Sequence, residues 1–466
     1  MINAHPKFIC YPSVVSVGKE IKVTIFPMDT SRRFREGQKC ELGVYGLMDD
    51  QIEYHFPAPL DHEFSISDGC LHFTHLFDKE QEYRIRLKQN GVLTILSMYA
   101  LADDLYALRP LKGDFHSHCW YSDGSDGLTM TPADYREEGF DFFTLTDHNR
   151  MFTSRLAMKM YEGVALGMEM IPGEEIHTPG SNVHIVHAGG KESICERYIN
   201  DPATYEAEVA AIEATMGDIP EQYRNRIAMA KWTCEKAHEF GGSAIFAHPY
   251  WQPDQFNIST DQASYMFSQK MYDAFELCGG VDTRANNLQL ALWQEQCLKG
   301  NRLSVVGSSD SHNHNSQQEK FARRFTVVFA KDNTTEAILE AVKNGLSVAG
   351  EIADGAIGDV RFYGDLRLVT FCHFLFHHYF SRTWRLCIGE GILMRRIAHG
   401  EDVSALLSQL APTVENFYKR FYGITPAPVL PAETIAFLDE CLEVQKNGPI
   451  TKGSKLYIYG GNERRE

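Results

Sequence analysis

The sequence predicts an α/β protein: a parallel-sheet barrel in the middle of the chain, a β-sandwich-like domain before it and a mostly helical domain after it. Three observations carry this. Strand-like and helix-like runs alternate from about residue 106 to 355, the pattern of parallel strands joined by crossover helices. Short strands punctuated by turn residues fill positions 1–105. Beyond 355 helical periodicity takes over.

In the first domain (1–105) the strands are SVVSVGKEIKVTIF, KCELGVYGL, CLHFTHLF, EYRIRL and VLTILSMYA, the last two joined by a hairpin around Gln-Asn-Gly. The barrel (106–355) begins with LKGDFHSH. Thr131-Pro132 opens the next helix as N-cap and first-turn proline. FDFFTLTDH, MEMIPGEEI and NVHIVHA follow as strands. RIAMAKWTCEKAHEFGG reads as a helix, SAIFAHPY and YDAFELCGG as strands, NLQLALWQEQCLKGN as a helix and LSVVGSSDSH as a strand. RRFTVVFA and TTEAILEAVKNG close the alternation. Gly139, Gly241, Gly300 and Gly345 stand where helices should stop. Around 190–230 the rhythm breaks at Pro202, Gly217 and Pro220, which reads as a helical insertion over the barrel. Residues 356–466 carry VSALLSQLAPTVENFYKRFYG and TIAFLDECLEVQKNG, both helical.

Composition bounds the function. The 466 residues carry a net charge of −17, which argues against a protein that grips long nucleic-acid polymers. Eleven cysteines are scattered singly without a C-x-x-C pair, so neither a disulfide framework nor a cysteine-rich zinc module is expected, and a cytoplasmic setting fits. The opening residues lack a signal-peptide pattern, and no apolar run is long enough for a membrane span. The most apolar stretch, FCHFLFHHYF at 371–380, carries three histidines. A homo-oligomer is compatible with all of this.

The chemistry lies at the strand ends. His116 and His118, Asp147-His148, Glu174-Glu175, His184, His248, and Asp310 with His312 close successive predicted strands. In parallel α/β barrels the active site gathers at this rim. One such histidine alone reads as a hydrogen-bonded rim residue. Six strands ending this way in order read as a metal centre, because imidazoles and carboxylates are ligands of Zn²⁺, Mn²⁺ and Fe²⁺. Alternation lets only one of Glu174 and Glu175 face the cleft. A carboxylate can bridge two cations, so the lone Glu in the middle of the set is the natural bridge.

The local text resembles the PHP (polymerase and histidinol phosphatase) metallohydrolases. The matching pieces are D-F-H-S-H…S-D-G at 114–124, T-D-H-N at 146–149, P-G-E-E at 172–175, V-H-I-V at 183–186, A-H-P at 247–249 and G-S-S-D-S-H at 307–312. The resemblance covers roughly 110–350 and implies a distorted (β/α)7 barrel with two to three divalent metal ions (Zn, Mn or Fe) in one cleft. It implies a first ion on His116, His118, Glu175 and Asp310. A second would share Glu175 and add His184 and His248; a third would take Asp123, His148 and His312. It selects Glu175 over Glu174 and His184 over His187. His187 is read as packed, or else as a donor behind a ligand, and His177, near the Glu175 strand end, is an alternative ligand. Asp114 and Asp147 are read either as acceptors that orient an imidazole or as strand-end caps.

Clustered divalent ions lower the pKa of bound water and hold phosphoryl oxygens. No G-x-S-x-G or P-loop is present, and Cys119 should point away from the histidine face. The expectation is therefore a phosphoesterase that cleaves a small phosphomonoester, of nucleotide or sugar phosphate type, by metal-activated hydroxide. Its expected catalytic set is Glu175, His248, Asp310 and His312, with His248 or His312 able to protonate the leaving group. Arg150, Arg323 and Arg324 are the expected phosphate contacts, with Arg224 and Arg226 able to close over substrate. The stretch 287–349 also resembles a PHP branch that includes carbamate-ester hydrolases, so carbonyl attack on the same metals is the alternative. A metal-binding scaffold without catalysis is the third reading.

Overall fold

The computed structural model describes residues 6–49, 59–251, 256–314, 321–352 and 359–447. Among the described residues eight strands come first: β1 (Phe8–Tyr11), β2 (Val14–Ser16), β3 (Lys19–Pro27), β4 (Cys40–Gly46), β5 (Ser65–Ser67), β6 (Cys70–Phe77), β7 (Gln81–Gln89) and β8 (Val92–Leu101). They form two four-stranded sheets, ordered β1-β3-β6-β5 and β2-β8-β7-β4. Period-two alternation on β7 turns Tyr83, Ile85 and Leu87 inward. They join Val23 and Ile25 of β3 and Leu71 and Phe73 of β6 in one core shared by both sheets. The β7–β8 turn is at Asn90-Gly91, both with positive φ, as a tight hairpin turn demands.

The next ten strands make one sheet: β9 (Arg109–Asp114), β10 (Phe142–Leu145), β11 (Glu169–Ile176), β12 (Ile185–Ala188), β13 (Ser243–Phe246), β14 (Ala274–Cys278), β15 (Ser304–Gly307), β16 (Arg324–Ala330), β17 (Ser347–Ile352) and β18 (Val360–Tyr363). Their order is β15-β14-β13-β12-β11-β10-β9-β16-β17-β18. β12 runs antiparallel to both neighbours, and β16 is antiparallel to β9, so the sheet is mixed where the alternation predicted parallel strands throughout. The sheet curls until it nearly closes. Thr326 Oγ1 of β16 donates to Gly307 O at 2.8 Å, and Ser347 Oγ of β17 donates to Val305 O at 2.8 Å. Gly307 must lack a side chain here, since a Cβ would lie 2.5 Å from Phe325 O.

The 190–230 stretch folds as helices Ile194–Asn200, Pro202–Ala214 and the start of Glu221–Glu239, which bury Tyr205, Val209 and Trp232. After β18 come helices Leu366–Leu375, Ser381–Ala398, Ser404–Leu410, Thr413–Phe421 and Ala432–Asn447, with a π-turn at Phe376–Phe380. They share a core with the barrel: Phe371, Phe374 and Phe421 cluster with Phe325, Val327 and Phe329 of β16. A buried ion pair pins this layer. Arg136, on helix Thr131–Glu137, donates from Nε and Nη2 to Glu390 Oε2 at 2.8 and 2.7 Å. Both side chains are fully buried. Among the described residues no helix is long and apolar enough to cross a membrane.

Removing one partner of such a pair leaves an uncompensated buried charge. Glu390→Ala is therefore expected to lose about 3–5 kcal/mol of stability in urea unfolding. Replacing both residues by well-packed apolar ones is expected to recover most of it.

Candidate metal centre

The site forms where strand ends continue their ladders past the barrel. His118 N donates to Ser311 O, Thr146 N to Ser117 O, and Glu175 N to Thr146 O, all at 2.9–3.0 Å. These bonds stitch the exits of β15, β9, β10 and β11 side by side, and the side chains between them converge. Asp114 clamps the seam: its carboxylate accepts from Ser309 N at 3.0 and 3.1 Å and from His116 N at 3.1 Å. Burial pushes this carboxyl up to about 6 against those hydrogen bonds. Asp310 beside the seam adopts φ +47°, a conformation costly for most side chains and concentrated at functional sites.

Glu175 is the centre. Its Oε1 lies 2.8 Å from His184 Nδ1 and 3.1 Å from His248 Nε2. Its Oε2 lies 2.9 Å from His148 Nδ1 and 3.2 Å from both His116 Nε2 and His118 Nε2. Asp310 Oδ1 joins at 3.3 Å from His116 Nε2 and 3.1 Å from His118 Nε2. A second group surrounds Asp123, whose Oδ2 is 3.3 Å from His148 Nε2 and 3.4 Å from His312 Nε2, while its Oδ1 is 3.7 Å from His118 Nδ1. All nine expected ligands thus fall in one cluster. His118 and His148 each turn one ring nitrogen to Glu175 and the other to Asp123, so the two groups share walls.

This geometry fits cations better than hydrogen bonds. Glu175 Oε2 is buried with three ring nitrogens nearby, yet it has no hydrogen-bond partner. His116 Nε2 and His118 Nε2 stand 3.2 Å apart. Donor atoms each ~2.1 Å from one tetrahedral or octahedral ion stand ~3.0–3.4 Å apart. Burial alone would raise the Glu175 carboxyl, but the imidazoles, His116 foremost, hold it well below the usual range. Against the cost of burial, Asp123 and Glu175 lift His148 to about 10. Four sets of side chains have donor atoms close enough for one ion: His118, Asp123, His148 and His312; His116, His118 and Glu175; His148, Glu175 and His184; and His116, His248 and Glu276.

Glu276 was not among the residues singled out from the sequence. Its Oε2 accepts from His116 Nδ1 at 2.8 Å in full burial, which turns Nε2 toward Glu175. The signal was present: Glu276 is a lone carboxylate inside the apolar strand text AFELC of β14. The other expected residues sort plainly. Glu174 faces away, accepting from Ile194 N at 2.7 Å and Ser193 Oγ at 2.8 Å, with His187 Nδ1 at 3.3 Å. His177 stacks on His184 at 5.0 Å between ring centroids and bonds Asn149, outside the four sets. Asp147 is a loop clamp, accepting from Cys119 N at 2.8 Å and Ser122 Oγ at 2.6 Å. Cys119 is buried and bonded to Asp147.

The arginines correct one expectation. Arg324 is buried, and Glu351 Oε1 takes its Nη2 at 3.0 Å and Nε at 3.3 Å, so that edge of its guanidinium is committed within the sheet. Arg150 and Arg323 are exposed, Arg150 directly ahead of helix Met151–Met160. Arg224 donates to Ile219 O at 3.1 Å. Trp251, 39% exposed, flanks the cluster with its ring centroid 6.3 Å from those of both His184 and His248.

No family model and no curated protein matches the chain. Among solved structures the chain is similar to PHP-like proteins. One is a two-domain protein from Bacteroides vulgatus that contains a predicted PHP-like metal-dependent phosphoesterase. It is 22% identical over 52% of this chain with a TM-score of 0.36, and the match spans 65% of its length. An amidohydrolase from Chromobacterium violaceum, with bound sulfate and no metal, is 16% identical over 43% of this chain and 87% of its own, with a TM-score of 0.30. At such identities and TM-scores, function is read from the side chains of the cluster themselves.

Loss of an acceptor that orients a ligating imidazole typically costs 10–100-fold in metal affinity. Glu276→Gln is expected to weaken Mn²⁺ or Zn²⁺ binding by about that factor in a chelator-competition titration, with the circular dichroism spectrum unchanged.

Proposed function

We propose that this chain is a PHP-type metal-dependent hydrolase, a phosphoesterase acting on a small phosphomonoester. The observation that carries the reading is the division of Glu175, whose two oxygens face separate sets of imidazoles, as a bridge between two cations would. His116, His118 and Asp310 would hold one ion with Glu175, His184 and His248 a second, and Asp123, His148 and His312 a third. Divalent ions in such a site supply an activated water near neutral pH and neutralise charge on phosphoryl oxygens.

The chain's own groups then have distinct tasks. Glu276 fixes the His116 tautomer, and Asp147 holds the loop that carries Ser122, whose Oγ lies 3.4 Å from His118 Nδ1. Arg150 and Arg323, both exposed, are the cations offered to a phosphate. Trp251 offers an apolar face beside His184 and His248 for the organic part of the substrate. A second reading, attack on an ester or carbamate carbonyl, is favoured by the commitment of Arg324 to Glu351, since a carbonyl substrate needs no guanidinium fork.

A substrate panel on protein loaded with Mn²⁺ or Zn²⁺ separates the two. Release of phosphate from p-nitrophenyl phosphate and nucleoside monophosphates, abolished by chelation, supports the first reading; turnover of a naphthyl carbamate without phosphate release overturns it. Elemental analysis of Glu175→Ala is expected to show two ions lost together, and of Asp123→Ala one. With the best substrate, Trp251→Ala is expected to raise KM ~3–10-fold, the worth of one aromatic contact, with a smaller effect on kcat.

A further inference from the structure

A polar cavity that shares no residue with the metal cluster lies between the N-terminal sheets and the C-terminal helices. It is a cleft of about 260 Å³. Ser13 lines one side, Arg84 and Ser97 of β7 and β8 another, and His377, His378 and Arg382 the third. The two histidines belong to the FCHFLFHHYF stretch, which the metal centre leaves unused. They sit in the π-turn Phe376–Phe380, a departure from α-helical hydrogen bonding that recurs at functional sites.

The charge balance of this cleft is unusual for a chain of net charge −17. Arg84 is bonded to Ser97 Oγ and pairs with Glu82 at 3.1 Å. Among the described residues no carboxylate pairs with Arg382; the groups acting on it are Tyr11 and Cys10. Burial, with Arg382 opposing, lifts the Cys10 thiol to about 12, so it stays neutral at pH 7. Burial foremost, then Arg382 and Arg84, push His378 down to about 3. His378 is therefore a neutral imidazole beside two guanidinium groups, able to donate a hydrogen bond. A half-buried guanidinium with unused donors, a second one beside it and a neutral donor on the same wall suit an oxyanion.

We propose that this cleft binds the phosphate group of a small molecule, with Arg382 as its principal ligand and Arg84 and His378 as supporting donors. The site is separate from the metal centre and does not depend on the reading of that centre. Its volume admits inorganic phosphate or the phosphate end of a small metabolite.

The test uses the full chain stripped of metal by chelation, so that phosphate cannot bind through ions at the barrel rim. Calorimetric titration with inorganic phosphate is expected to give one site per chain. Arg382→Gln is expected to weaken it at least ~10-fold, the loss of one charge-assisted contact, and Arg382→Lys to restore part of it. Arg84→Gln and His378→Asn serve as second variants should Arg382→Gln unfold. Phosphate should also raise the Tm of the wild type and not that of a folded Arg382→Gln. The proposal is overturned by an absence of binding at phosphate on the order of 10 mM, by binding that survives all three substitutions, or by acetate binding as well as phosphate does.

Discussion

The burial of a single carboxylate organises this molecule. Glu175 is completely removed from water, and an ionised carboxylate in that position costs far more than folding can supply unless other groups compensate it. The compensation comes from His116 and His118 after β9, His148 after β10, His184 before β12 and His248 after β13. These groups are scattered over more than a hundred positions of sequence and meet only if the sheet curls. Closing the barrel and neutralising Glu175 are therefore one event. The backbone bonds from Ser311 to His118, Ser117 to Thr146 and Thr146 to Glu175 are the stitches that make it so.

Much of this was legible in the sequence because strand ends announce themselves. An apolar run that stops at His, Asp or Glu marks the rim, and that rule reached eight of the nine residues that cluster; Asp123 came instead from the Ser-Asp-Gly text that follows His118. Where the rule needed topology it was blind. β12 runs backwards, so its first residue, Ile185, lies opposite Ile176 at the rim. His184, just before it, joins the cluster, while His187 toward its far end pairs with Glu174. Strand-end logic named His184 but offered no reason to prefer it to His187 in the same text; the resemblance to PHP enzymes made that choice. Glu276 escaped because it lies inside its strand, where a carboxylate is bought by one buried imidazole that periodicity does not reveal. Arg324 misled for the converse reason: a cation near the last motif says nothing about Glu351, 27 positions on, which claims it.

The layers around the barrel obey the same economy of buried charge. Arg136 and Glu390 sit on helices 254 positions apart, yet each supplies the opposite charge that lets the other stay fully buried, with Asp141 3.6 Å from Arg136 and Gly167 N donating to Glu390. Their pairing seats the helix Ser381–Ala398 against Thr131–Glu137, whose chain leads out of the Asp123 loop. Helical periodicity made the C-terminal region legible as helices. It did not show that they cover the barrel, because the deciding contact is an ion pair between residues that each look like surface charges.

The two glycines that follow β14 show how closely the site and the backbone are fitted. A Cβ on Gly279 would lie 2.2 Å from Glu276 Oε1, and one on Gly280 would lie 2.3 Å from Ser309 O and 3.0 Å from Asp310 Cβ. The first leaves room for the carboxylate that orients His116. The second lets the β15 exit pass close enough for Asp310 N to bond His116 O at 2.9 Å, which holds Asp310 in its left-handed conformation and aims its carboxylate at the same two imidazoles. Side chains at either position would push apart the acceptor behind His116 and the ligand in front of it. The text C-G-G at 278–280 is thus as much a part of the metal centre as the histidines, although neither glycine carries a ligand atom.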